Sequence, residues 1–155
     1  MKNRRHIILY LIIVALLASC TENNITKEGY CTNPLIDSVA TVTCVAVIDG
    51  DTWKFQLQND IFSVRILGID CFETKHNERL RNQAEKKGIT EDSAYSLGII
   101  ARNLAESLLL NKQVRIVRDF DEDNFDVYNR LLRKCYIDNL NYSEYIINAG
   151  LSAGE

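Results

Sequence analysis

The chain has 155 residues, one proline, 46% hydrophobic residues and a formal net charge of -3. That is enough sequence for a single domain with its own core. The charge excludes a protein that holds nucleic acid through a broad basic footprint, so any polyanion must be gripped locally.

The first twenty residues stand apart. Lys2, Arg4 and Arg5 precede the apolar run Ile7 to Ala18, and Leu17-Ala18-Ser19-Cys20 closes it. The run falls short of the ~20 residues a bilayer-spanning helix needs and has the form of a signal-peptide core. Its end resembles the lipobox of bacterial lipoproteins, which makes Cys20 the expected lipidated first residue of the mature chain. An ordinary signal peptide or a short membrane anchor is the competing reading. Removing residues 1–19 takes three of the 18 basic residues and none of the 21 acidic ones, leaving a formal charge of -6. We expect a signal peptide over 1–19, a tether over 20–38 and a folded domain over 39–155. The expected location is extracytoplasmic, on a bacterial membrane.

Four further cysteines, Cys31, Cys44, Cys71 and Cys135, have no zinc-ligand spacing. Outside the cytoplasm they allow disulfides in three full pairings. Burial as small hydrophobes with one bridge or none fits equally well.

From Ala40 the pattern becomes that of strands. Ala40 to Ile48 is rich in β-branched residues, and Thr52 to Gln58 alternates, with Trp53, Phe55 and Leu57 on one face. Asn59-Asp60 reads as a turn and Ile61 to Ile69 as a third strand, completing a meander. Glu73 to Asp92 reads as a long polar loop with five basic residues. A helix is predicted from about Asp92 to Leu110, with Ala94, Leu97, Ala101, Leu104 and Leu108 as its apolar stripe. Lys112 to Arg118 and Leu131 to Ile137 are the fourth and fifth strands. A last helix has Asn141 as N-cap, Glu144 three residues on and Gly150 as its stop. The order predicts an α+β, mainly β fold: a five-stranded OB-like barrel, with one helix between strands 3 and 4 and a short one after strand 5. A β-sandwich is the alternative.

The polar residues raise a chemical question. Asp49-Gly50-Asp51 suits a hairpin turn, but a turn does not require Asp51. Asp70 and Glu73 follow the third strand, and oxygen donors without His or Cys select a hard cation such as calcium or magnesium. Arg65 lies an odd five residues before Asp70, so in a flat strand the two would face opposite ways; a bend at Gly68 would bring them together. Arg130, with Tyr128 two residues before it, opens the fifth strand. Metal-holding carboxylates, two arginines and a spare carboxylate suit phosphodiester hydrolysis. Cation and guanidinium groups stabilise the transition-state charge, and the carboxylate activates water. Asp119, Asp121 and Asp123 alternate like the start of an EF-hand loop, but Asn124 and Arg130 stand where its glycine and glutamate belong, which favours a solvated acidic loop. His76 reads as an exposed loop residue.

The segments IDGDTWKF, VRILGIDCFETKH and DVYNR together resemble the signature of the thermonuclease, or staphylococcal-nuclease-like, family from about Thr43 to Leu151. The resemblance implies an OB-like barrel and a monomeric, calcium-dependent nuclease acting on DNA and RNA. It implies Asp51, Asp70 and the backbone carbonyl of Cys71 as calcium ligands, with Asp49 in support. Glu73 would be the general base, Arg65 and Arg130 the phosphate-gripping residues, and Tyr128 a wall of the nucleotide pocket. The chain departs from the family pattern at Cys71 (threonine), Phe72 (proline), Val127 (lysine) and Asn129 (glycine). After Gly150-Leu151 the family continues into a further aromatic stretch and a C-terminal helix, where this sequence has SAGE, so the expectation is a relative with a truncated C-terminus that lacks that helix. A lipoprotein OB-fold that binds nucleic acid or another polyanion without cutting it is the second expectation.

Overall fold

The computed structural model describes residues 38–154; the expected signal peptide, lipidated Cys20, Cys31 and nearly all of the tether lie outside them. The strands are β1 (Val39–Val47), β2 (Thr52–Leu57), β3 (Asp60–Ile66), β4 (Asp70–Cys71), β5 (Gln113–Val117), β6 (Leu131–Ile137), β7 (Leu140–Asn141) and β8 (Ser152–Gly154). The helices are α1 (Glu78–Lys87), α2 (Glu91–Leu109) and α3 (Tyr142–Asn148).

The alternating sequence of β2 determines the barrel. Trp53 and Phe55 are fully buried while Lys54 and Gln56 face solvent, the period-2 outcome of a pleated strand. β2 pairs with β1 and β3, β1 pairs with β5, and β5 pairs with β6, all antiparallel. A parallel pairing of β3 with β6 (Val64 opposite Leu131) closes the cylinder. The result is the expected five-stranded, OB-like barrel, mainly β with three helices. Its interior holds Val42, Cys44, Trp53, Phe55, Val64, Ile66, Ile116, Leu131 and Cys135, with α2 (Ala101, Ala105, Leu109) and α3 (Tyr142, Ile146) packed on it.

Three local expectations need correction. First, the turn between β2 and β3 is Gln58-Asn59, because Leu57 pairs with Asp60 and Gln58 takes the positive φ of 55°. Second, the third strand ends at Ile66; Gly68, at φ 80°, turns the chain so that Asp70-Cys71 form β4 and pair with β8. Third, the polar stretch Glu73 to Asp92 contains α1. Asn77 caps its start by accepting from the Leu80 amide at 2.8 Å, and Gly88 ends it in the left-handed region at φ 68°. Its narrow inner face, Leu80 and Ala84, joins Phe72, Ala94 and Ala153 in a second small core.

Cys44, Cys71 and Cys135 are buried free thiols. Burial raises all three, Cys44 to about 11 and Cys135 to about 12, so they pack as neutral hydrophobes.

Candidate active site

The Asp49-Gly50-Asp51 segment is held by side chains from beneath. Trp53 Nε1 donates to the Asp49 carbonyl at 3.2 Å and Tyr142 Oη to the Gly50 carbonyl at 2.8 Å. The two rings meet edge to face, their centroids 4.6 Å apart. Asp49 Oδ1 accepts from the Asp51 amide at 3.0 Å. Gly50 does not take the positive φ of a tight Asp-Gly hairpin turn. Its role is close approach: a Cβ there would lie 2.6 Å from Cys71 Sγ and 2.8 Å from Ala101 Cβ.

That proximity brings the two acidic segments together. The Cys71 amide donates to Asp51 Oδ2 at 2.6 Å. Arg65, from β3, bridges them: Nη1 forms an ion pair with Asp51 Oδ1, and Nη2 lies 3.0 Å from Asp70 Oδ1. The Nη1 contact lacks hydrogen-bond geometry, so we read it as charge pairing. The turn at Gly68 is what lets Arg65 and Asp70 share a site despite their odd spacing. Asp51 and Arg65 are only 7% and 14% exposed, which reduces solvent screening of their attraction.

Around this pair lies a wider polar network. Arg79, from α1, reaches Asp70 Oδ1 at 2.6 Å and Glu73 Oε1 at 3.2 Å. On the other side Thr52 Oγ1 donates to Asp51 Oδ1 at 3.1 Å and accepts from Arg130 Nη1 at 2.9 Å. Asp126 fixes Arg130 through Nε and Nη2, each 2.6 Å from Oδ2. The Arg130 guanidinium lies 5.3 Å from the Tyr128 ring centroid, and Tyr128 is 73% exposed. Asn129 takes φ 61°, a left-handed conformation that asparagine tolerates.

Seven of the expected residues, Asp49, Asp51, Arg65, Asp70, Cys71, Glu73 and Arg130, thus belong to one connected network, with Tyr128 at its exposed edge. Sequence reasoning missed Thr52, Gln83 and Asp126, and placed Arg79 only among the five basic residues of the Glu73 to Asp92 segment, as a source of positive field. Asp126 had a signal, an aspartate at the start of the turn that leads to Arg130, where its carboxylate accepts from the Tyr128 and Arg130 amides. Gln83 had none without α1.

The electrostatics are uneven. Burial, and then the negative charge of Asp51, pushes Asp49 up to about 7. Burial also works to raise Asp70, but the Gln83 hydrogen bond and the Arg79 and Arg65 charges outweigh it and hold its carboxyl below the usual range. Among the described residues no three Asp, Glu, His or Cys side chains converge as a cation cage; Arg65 stands between Asp51 and Asp70.

A barrel closed by a parallel β3–β6 pair, with acidic and arginine side chains gathered at one end, defines an OB-like domain with a polar, charge-paired cluster at that end. The model of the staphylococcal nuclease homologue family matches residues 63–154, and the chain belongs to that family. Its sequence is also similar to the uncharacterized protein MJ1439 of Methanocaldococcus jannaschii, 27% identical over 165 aligned positions that cover 95% of this chain and 80% of the relative. Family membership assigns the domain, at a coarse level, a nuclease or nucleic-acid-binding function.

Proposed function

We propose that the protein is a calcium-dependent nuclease that hydrolyses phosphodiester bonds of DNA or RNA, tethered outside the cytoplasm by lipid on Cys20. The observation that carries this reading is Arg65 and Arg130 flanking one buried carboxylate, Asp51, with Glu73 tied to the same network through Arg79 and Asp70. Pure binding needs the arginines; it does not need a separate carboxylate beside them.

The donor chemistry supports calcium. Asp51, Asp70 and the Cys71 carbonyl are all-oxygen donors in adjoining segments, the set a hard cation prefers. When bound, calcium would supply positive charge against the developing phosphorane-like oxygens. Arg65 and Arg130 would pair phosphate oxygens through their planar forks. Arg130 is pre-aimed by Asp126, and Arg65 must loosen its hold on a carboxylate to take part. Glu73 would accept the proton of the attacking water as the new P–O bond forms and the old P–O ester bond breaks, the leaving oxygen taking up a proton from solvent to depart as a hydroxyl.

One observation favours the second reading, a non-catalytic polyanion binder: Arg65 and Arg79 already neutralise Asp51, Asp70 and Glu73. Glu73→Gln separates the two. A nuclease loses roughly 10²–10⁴-fold in cleavage rate while oligonucleotide affinity stays near wild type. Equal losses of cleavage and affinity would remove Glu73 from the role of base.

A further inference from the structure

Gln83 is the buried polar residue of α1, 6% exposed on a helix otherwise crowded with charge. It sits with Leu80 and Ala84 on the inner face, and its carboxamide makes three hydrogen bonds, all to the Asp70–Glu73 turn. Nε2 donates to Asp70 Oδ2 at 2.9 Å and to the Cys71 carbonyl at 2.9 Å. Oε1 accepts from the Glu73 amide at 3.0 Å.

The chemistry of the partners fixes the orientation of the amide. Two of the three are acceptors and one is a donor, so a flipped amide would set its oxygen against a carboxylate and a carbonyl. Both N–H groups and the oxygen are used, which is how a buried carboxamide avoids its desolvation penalty. Asp70 keeps Oδ1 for its charged partners, and the Cys71 carbonyl keeps a second lone pair.

We infer that Gln83 is a positioning residue of the active site, which makes α1 part of the catalytic apparatus. A single carboxamide sets the Asp70 carboxylate, the Cys71 carbonyl and the Glu73 backbone relative to one another. Two of these are proposed cation ligands, and the third carries the proposed base. The role in catalysis rests on the nuclease reading given above; the bracing of the turn does not.

The test uses the full chain, Gln83→Met (similar length, no hydrogen bonds) and Gln83→Glu, which retains an acceptor for the Glu73 amide and loses both donors. Glu85→Gln, on the exposed side of α1, is the control. Amide hydrogen exchange over residues 70–73 without metal reads the brace. Terbium luminescence reads cation binding, and kcat and KM on an oligonucleotide read catalysis.

In Gln83→Met, exchange at the Glu73 amide rises while barrel amides stay protected. Terbium affinity and kcat fall roughly 10- to 100-fold, the range for lost partners of metal ligands, with KM within about twofold. In Gln83→Glu the Glu73 amide stays protected but kcat still falls about tenfold or more, so the inference remains testable even if the methionine variant does not fold. Wild-type exchange and kcat in folded Gln83→Met, or wild-type kcat in Gln83→Glu, overturns the inference. A wild-type chain that neither binds terbium nor cleaves, with exchange still rising in Gln83→Met, overturns the nuclease reading and the catalytic role while leaving the brace.

Discussion

At the scale of single residues, the site is a charge balance held by Arg65. Removing one partner of a buried ion pair leaves the other uncompensated, at a cost of about 3–5 kcal/mol. Arg65→Ala therefore lowers the melting temperature, and millimolar calcium recovers part of the loss by neutralising Asp51 and Asp70. Thermal melts with and without calcium check this, and a variant indifferent to calcium contradicts it. Asp126 makes a pH-dependent contribution. Burial acts to raise its carboxyl, but hydrogen bonds from the Arg130 amide and guanidinium outweigh it and lower it below the ordinary value of 3.8. A depressed folded-state value means its stabilisation is present above the unfolded value and lost as pH falls through the folded one. Asp126→Asn should be less stable than wild type at pH 7, by about 1.5–3 kcal/mol for a charged hydrogen bond. The gap closes below about pH 3.8, as urea titrations at both pH values would register. The acidic and arginine residues were legible because such types have little reason to cluster around a hairpin. Thr52 was not, because a threonine in an alternating strand is read as β-propensity, and only the fold shows it buried between Asp51 and Arg130.

At the scale of elements, α2 provides the seat for the Asp70–Glu73 turn. At Gly98 the helix meets backbone: an added Cβ would lie 2.6 Å from the Glu73 carbonyl oxygen and 2.7 Å from that of Phe72. Gly98→Ala gains up to about 1 kcal/mol of helix propensity but costs about 1–3 kcal/mol through overpacking against atoms that cannot rotate away. The net is destabilising, with kcat lowered because Glu73 moves; melts and steady-state kinetics together decide it. The strands were legible from their alternation, which the barrel interior preserves. Their ends were less so. β4 and β8 are short pairings between segments distant in sequence, and no local pattern announces them. α1 was missed because its buried face is only Leu80, Gln83 and Ala84, too few apolar residues for a visible stripe. Its only local signals are the caps, Asn77 and Gly88, which a polar composition masks.

At the scale of the whole molecule, an acidic chain is proposed to handle a polyanion. Long-range attraction to nucleic acid is then weak, and the grip depends on arginines concentrated at one end of the barrel, Arg65, Arg79 and Arg130. The N-terminal segment adds a prediction of its own. Cys20→Ser should abolish incorporation of labelled fatty acid and release the protein from the membrane fraction; unchanged labelling rules out the lipobox reading. Calcium-dependent hydrolysis is the step on which the proposed function stands, and a single assay reads it. The full chain in mild detergent is incubated with denatured DNA and with RNA in millimolar calcium, then with excess chelator, its fold checked in both by circular dichroism. Cleavage with calcium and its loss on chelation, with the fold retained, is the expected result. A folded chain that binds nucleic acid in calcium but leaves it intact would overturn the nuclease reading.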